Sequence, residues 1–134
     1  MVSAVVSGIS QTSEDGRIVA RVDYVFAPFE QVKGLSNNVS KADYERVIAD
    51  KRFRMEELKY LSDGLTVSAY LYSPKVTAGK NFPVIVFNRG GYIRGDIGAE
   101  LAAFFNRLAS SGFVVLAPLY RGSNGAPGKD EVGG

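Results

Sequence analysis

Not one histidine occurs among the 134 residues. A Ser-His-Asp mechanism needs an imidazole to take the serine proton, so no such triad can be complete within this sequence. Cysteine is absent as well, which excludes disulfides and thiolate metal sites and leaves the redox compartment open. No run approaches the roughly 18 apolar residues of a membrane-spanning helix. No positive charge precedes Arg17 in the segment that opens MVSAVVSGI, so a secretory signal is not expected and the cytoplasm is the expected compartment. Sixteen basic side chains face fourteen acidic ones, a net charge of +2. Neither a basic stripe nor aromatic residues interleaved with Lys and Arg can be drawn on any one element, so nucleic acid is not an expected partner. No metal and no cofactor is expected.

What is present is apolar and patterned. Hydrophobic residues make up 46% of the chain, enough for the core of one small domain. Val84, Ile85, Val86 and Phe87 form a continuous run, which suits a parallel strand buried on both faces. The run stops in Asn88-Arg89-Gly90-Gly91. Two glycines just past the carboxyl end of a strand let backbone N–H groups approach a ligand closely, and ligands of open α/β sheets bind at that end.

A helix is expected from about Asp96. Leu101, Phe104, Phe105 and Leu108 fall at i, i+3, i+4 and i+7, with Gly112 placed as the C′ residue. Burial of four such side chains contributes roughly 1.5–3 kcal/mol each, so this helix is expected to pack on a sheet. Phe113 to Ala117 repeats the buried-strand pattern and Pro118 ends it; a right-handed crossover then makes the two strands parallel. Residues 120–134, YRGSNGAPGKDEVGG, carry five glycines and a proline without an apolar period.

Upstream, Met55 to Leu61 and Leu65 to Tyr72 flank Ser62-Asp63-Gly64, the signature of a hairpin with an Asp-Gly turn. Ser40 with Asp43 three residues on resembles a capping box. Tyr44, Val47 and Ile48 supply the stripe of a helix that should run to about Arg52. Arg17 to Phe26 alternates well enough for one strand, and Pro28 to Val39 reads as a loop. Residues 1–52 are therefore an N-terminal extension with one helix at about 40–52, and residues 53–134 form the second unit.

Two catalytic motifs are approached and missed. Arg121-Gly122-Ser123-Asn124-Gly125 has Arg121 where a nucleophile elbow needs its first glycine, and it follows a loop instead of ending a strand. Ser123 is read as a turn residue. Gly90 and Gly95 have P-loop spacing, but the next positions hold Asp96 and Ile97 where Lys and Ser or Thr would contact phosphate and Mg²⁺. G-x-G-x-x-G does not occur, and nucleotide binding is set aside.

FPVIVFNRGGYIRGD, SSGFVVLAPLYRG and SNGAPGKDEVGG, with the preceding ELKYLSDGLTVSAYLYSPK, resemble the N-terminal part of an α/β-hydrolase catalytic domain of the prolyl oligopeptidase family. The resemblance covers about Met55 to Gly134. It implies an α/β fold: a partial α/β-hydrolase sheet made of a leading hairpin and a parallel β-α-β unit. Members are serine hydrolases, mostly peptidases acting on short peptides. By the resemblance their nucleophile elbow lies beyond the position of Gly134, so the triad is expected in sequence not present here, and this chain alone is expected to be inactive.

One catalytic part is implied to be present. In this fold the loop after the first long parallel strand supplies part of the oxyanion hole, here Arg89, Gly90 and Gly91. The family commonly has His or Tyr before the Gly-Gly pair; Arg89 in that position makes backbone N–H groups the candidates. The competing reading is a simple tight turn. Tyr92 and Arg121 are candidate substrate-binding residues, because Arg89 and Arg121 follow parallel strands on the same side of the sheet and Arg suits bidentate carboxylate recognition. The simpler expectation pairs Arg121 with Asp130 or Glu131 and Arg89 with Asp96.

Two function classes follow. One is a portion of a serine peptidase that acts on a peptide or acyl-ester substrate once the remainder is joined. The other is a non-catalytic interaction module, a truncated hydrolase scaffold that self-associates through an open Val84–Phe87 edge.

Overall fold

The computed structural model describes residues 14–32, 39–75, 78–89 and 97–121. They form five strands and two α-helices: β1 (Ile18–Asp23), α1 (Lys41–Ala49), β2 (Phe53–Ser62), β3 (Leu65–Pro74), β4 (Val84–Val86), α2 (Ile97–Ser110) and β5 (Val114–Pro118). The sheet order is β1-β2-β3-β5-β4. Among the described residues no helix is long and apolar enough to cross a membrane.

The hairpin forms around Asp63 and Gly64, whose φ values of +48° and +74° supply the left-handed pair that a two-residue turn between twisted strands requires. Its register runs from Ser62 opposite Leu65 to Phe53 opposite Pro74, so it is longer than the pattern suggests. β1 pairs antiparallel with β2 and is shorter than the alternating Arg17–Phe26 run. Beyond its end, Tyr24 and Phe26 turn inward to pack against the core. Residues described before position 53 thus share one sheet and one helical layer with those after it: β1 bonds to β2, and Tyr44 of α1 packs with Ala99 of α2 in a buried cluster.

Ser40 caps α1 by accepting from the Asp43 N–H at 3.1 Å and donating its hydroxyl to the Asp43 carboxylate at 2.9 Å. The helix stops at Ala49, short of the expected Arg52, because the Asp50 carboxylate accepts from the Arg52 N–H at 3.1 Å. That local bond closes a turn that competes with helix continuation and sends the chain into β2.

β4 and β5 are parallel neighbours joined through α2. α2 ends as expected at Gly112, φ +93°. The Gly112 N–H donates to the Ala109 carbonyl at 3.0 Å and that of Phe113 to the Leu108 carbonyl at 3.3 Å, the paired bonds of a Schellman ending.

Its buried face differs from the expected one. Phe105 is fully buried, but Leu101, Phe104 and Leu108 are only half-buried, and the deepest positions are Ala99, Ala102, Phe105, Asn106 and Ala109. Alanine lets the helix axis approach its neighbours, so the large side chains flank the seam instead of filling it. The expectation that β4 is buried on both faces is also corrected. Val84 and Val86 are 58% and 55% exposed, while Ile85 is half-buried and Phe87 packs on Phe104 and Phe105 with ring centroids 5.6 and 5.5 Å apart. α2 covers one face of an edge strand, and alternation leaves the two valines on the other.

Candidate functional site

Parallel pairing brings the carboxyl ends of β4 and β5 together. The Phe87 N–H donates to the Leu116 carbonyl at 2.8 Å, which carries the ladder past the end of β4 and delivers Asn88 and Arg89 beside the end of β5. On the other strand, the Leu119 N–H donates to the Ser68 carbonyl at 2.9 Å, so Tyr120 leaves the sheet from a fixed point.

Arg89 and Tyr120 meet there. The guanidinium of Arg89 lies over the Tyr120 ring, 4.8 Å from its centroid, and the Tyr120 hydroxyl donates to the Arg89 carbonyl. Arg89 is only 4% exposed. A side chain buried this way has little surface left for a substrate carboxylate, which favours a local role for the Arg89 guanidinium over a ligand-binding one.

Arg121 reaches a different partner from the ones expected. Its guanidinium forms an ion pair with Asp63 in the hairpin turn and lies 3.5 Å from the Ser62 hydroxyl. Asp130 and Glu131 lie outside the described residues, as do Gly90, Gly91, Tyr92, Arg94, Asp96 and Ser123. The structure therefore brings together Arg89, Tyr120, Arg121 and Asp63. Tyr120 and Asp63 carry contacts that the sequence did not assign. The only signal for Tyr120 was its position next to Arg121 at the end of an apolar run. Asp63 read purely as a turn former.

Among the described residues, a cleft also opens away from this junction. A cavity of about 420 Å³ opens among Tyr24, Phe26, Phe53 and Met55, with Lys51 and Lys75 also in its lining. β5 runs parallel to β2, because both are antiparallel to β3, so this cavity at the start of β2 lies at the opposite end of the sheet from Arg89 and Tyr120. Among the described residues no three metal-ligating side chains converge.

No family model matches the chain, and no solved structure matches it. A Bacillus subtilis (strain 168) protein named "Uncharacterized peptidase YtmA" is 33% identical over 81 residues, which are 60% of this chain and 30% of that protein. The chain is similar to part of a protein named as a peptidase. It spans less than a third of the length of that relative.

Proposed function

We propose that this chain is the N-terminal portion of the catalytic domain of a prolyl oligopeptidase-like serine peptidase acting on short peptides. In this reading, backbone N–H groups at Arg89, Gly90 and Gly91 contribute to its oxyanion hole. The observation that carries the reading is the parallel β4-α2-β5 unit behind an antiparallel hairpin, with both carboxyl ends side by side at Arg89 and Tyr120. That is the element order the resemblance implies, and ligands of such sheets bind at that end. Similarity to a protein named as a peptidase supports the same reaction class.

The division of labour follows from chemistry. With no histidine in the sequence, the imidazole base, together with the nucleophile and its acid, comes from other polypeptide. This chain supplies preorganised donors for the charge that develops on the tetrahedral intermediate, each worth about 2.7–4 kcal/mol of barrier. Burial of the Arg89 side chain under Tyr120 leaves main-chain N–H groups as the donors.

A fluorophosphonate probe tests this. The 134-residue chain is expected to remain unlabelled, and a product that continues through a downstream G-x-S-x-G segment is expected to label on that serine and to cleave a short chromogenic peptide. Labelling of any serine in this chain, or none in the longer product, overturns the reading.

A second reading rests on a separate observation. The Phe87 N–H and the Pro83 carbonyl bond toward β5, so strand alternation points the backbone groups of Val84 and Val86 away from it. Among the described residues no strand lies on that side. An open edge with exposed valines is a template for pairing, and a non-catalytic module that self-associates through β4 would use it. A concentration-independent monomer in sedimentation would reject this second reading.

A further inference from the structure

One tyrosine holds one arginine in two ways. The Tyr120 hydroxyl fixes the main chain at Arg89 through the carbonyl oxygen, and the Tyr120 ring covers the Arg89 guanidinium. The tyrosine is itself 43% exposed, whereas the arginine beneath it is 4% exposed. An exposed aromatic that shelters a cation and bonds the same residue's backbone does more than fill space. It ties the point where the chain leaves β4 to the point where it leaves β5, and Leu119 anchors that second point through its N–H to Ser68.

Building on the peptidase reading above, we infer that Tyr120 is a positioning residue: it sets the backbone at Arg89, the described member of the proposed oxyanion donors. Such donors act only when held where charge will develop, and a displacement of about 1 Å can cost on the order of 10²-fold in rate. The hydroxyl and the ring have separable duties. The hydroxyl orients the peptide unit, and the ring offsets part of the cost of a cation with little access to water.

Tyr120→Phe keeps the ring and removes the hydroxyl; Tyr120→Leu removes both. In the 134-residue chain, Tyr120→Phe is expected to speed amide exchange at Phe87, whose N–H bonds to the Leu116 carbonyl, and at Arg89 by about tenfold while the β2–β3 amides stay protected. The ring-current shift on the Arg89 side chain should persist in Tyr120→Phe and vanish in Tyr120→Leu. In the longer, active product, Tyr120→Phe is expected to lower kcat on the order of 10²-fold, with KM within about twofold and the pH profile unchanged.

Unchanged exchange at Arg89 overturns the inference, as does unchanged kcat in an active protein. A loss of kcat that merely tracks a fall in Tm assigns Tyr120 a structural role and overturns it too. If the longer product proves to have no hydrolytic activity, the peptidase reading fails by itself, and exchange at Arg89 alone decides whether Tyr120 positions the backbone there.

Discussion

The side-chain nitrogen of Asn106 on α2 donates to the Asp50 carboxylate and to the Tyr72 hydroxyl, each at 3.1 Å. Asn106 and Tyr72 are both buried, so this is a polar join inside an otherwise apolar contact between the end of α1, the helix α2 and the strand β3. Asn106→Leu would remove the shared donor at nearly constant volume. The expected loss is about 1–3 kcal/mol, set mainly by the acceptors left without it. In a double-mutant cycle, adding Tyr72→Phe should cost less than the sum of the single changes, because it removes one stranded group. Urea unfolding of the four proteins measures both quantities.

The same carboxylate predicts how acid acts on the fold. Three hydrogen bonds from Arg52, two from its guanidinium and one from its backbone N–H, hold Asp50 well below its ordinary value of 3.8, with the bond from Asn106 and the charge of Arg52 adding to them against partial desolvation. The bidentate hydrogen bonds from Arg21, at 2.9 and 2.8 Å, lower Glu56 from 4.5. Both folded values lie below the unfolded ones. Their stabilisation is therefore complete above about pH 5 and is lost as pH falls through the ordinary carboxylate range toward the folded values. The urea midpoint should be flat from about pH 7 to about pH 5 and decline below that. Asp50→Asn should make the decline shallower; an identical slope in that variant would show that Asp50 is not one of the groups responsible.

Much of this fold was legible because local chemistry and tertiary packing agree. Ser62-Asp63-Gly64 fixes the hairpin, and Gly112 ends α2, since each demands a backbone conformation that few other residues supply. Legibility failed where a neighbour decides burial. The run Val84–Phe87 is apolar throughout, yet only the residues facing α2 are covered, and no pattern within the run states that β4 lies at an edge. Asn106 sits on the buried face of a helix and would read as a solvent position; its partners come from residues 34 and 56 positions away. At the candidate site, the sequence pointed to the junction of Arg89 with the glycine pair. The tie from Tyr120 and the ion pair between Arg121 and Asp63 depend on strand order, which brings together ends that are distant in sequence.

Edge exposure makes a prediction about association. Val86 is exposed on the uncovered face of β4, and a charge there would oppose pairing with a second strand while leaving the core untouched. Val86→Lys should shift any concentration-dependent species toward monomer in sedimentation velocity, with a stability change within about 0.5 kcal/mol. Retention of the same oligomer would move the association surface elsewhere.

Gly98 tests how closely α2 approaches the sheet. Alanine at an open helical site would gain up to about 1 kcal/mol over glycine from helix propensity. Here a Cβ would stand 2.7 Å from Met55 Cε and 3.0 Å from two ring carbons of Tyr24. The methionine end can swing, but Met55 is buried in the core. Tyr24 is flanked edge-on by Phe26 and Tyr70, with centroids 4.8 and 5.4 Å away. Overpacking of this kind costs typically about 1–3 kcal/mol, which exceeds the propensity gain. Gly98→Ala is expected to be destabilised by about 1 kcal/mol net, and pairing it with Met55→Ala, which removes the colliding methyl, should recover part of that loss relative to Met55→Ala alone. A more stable Gly98→Ala protein in urea unfolding would mean that the helix stands farther from β2 than these distances state.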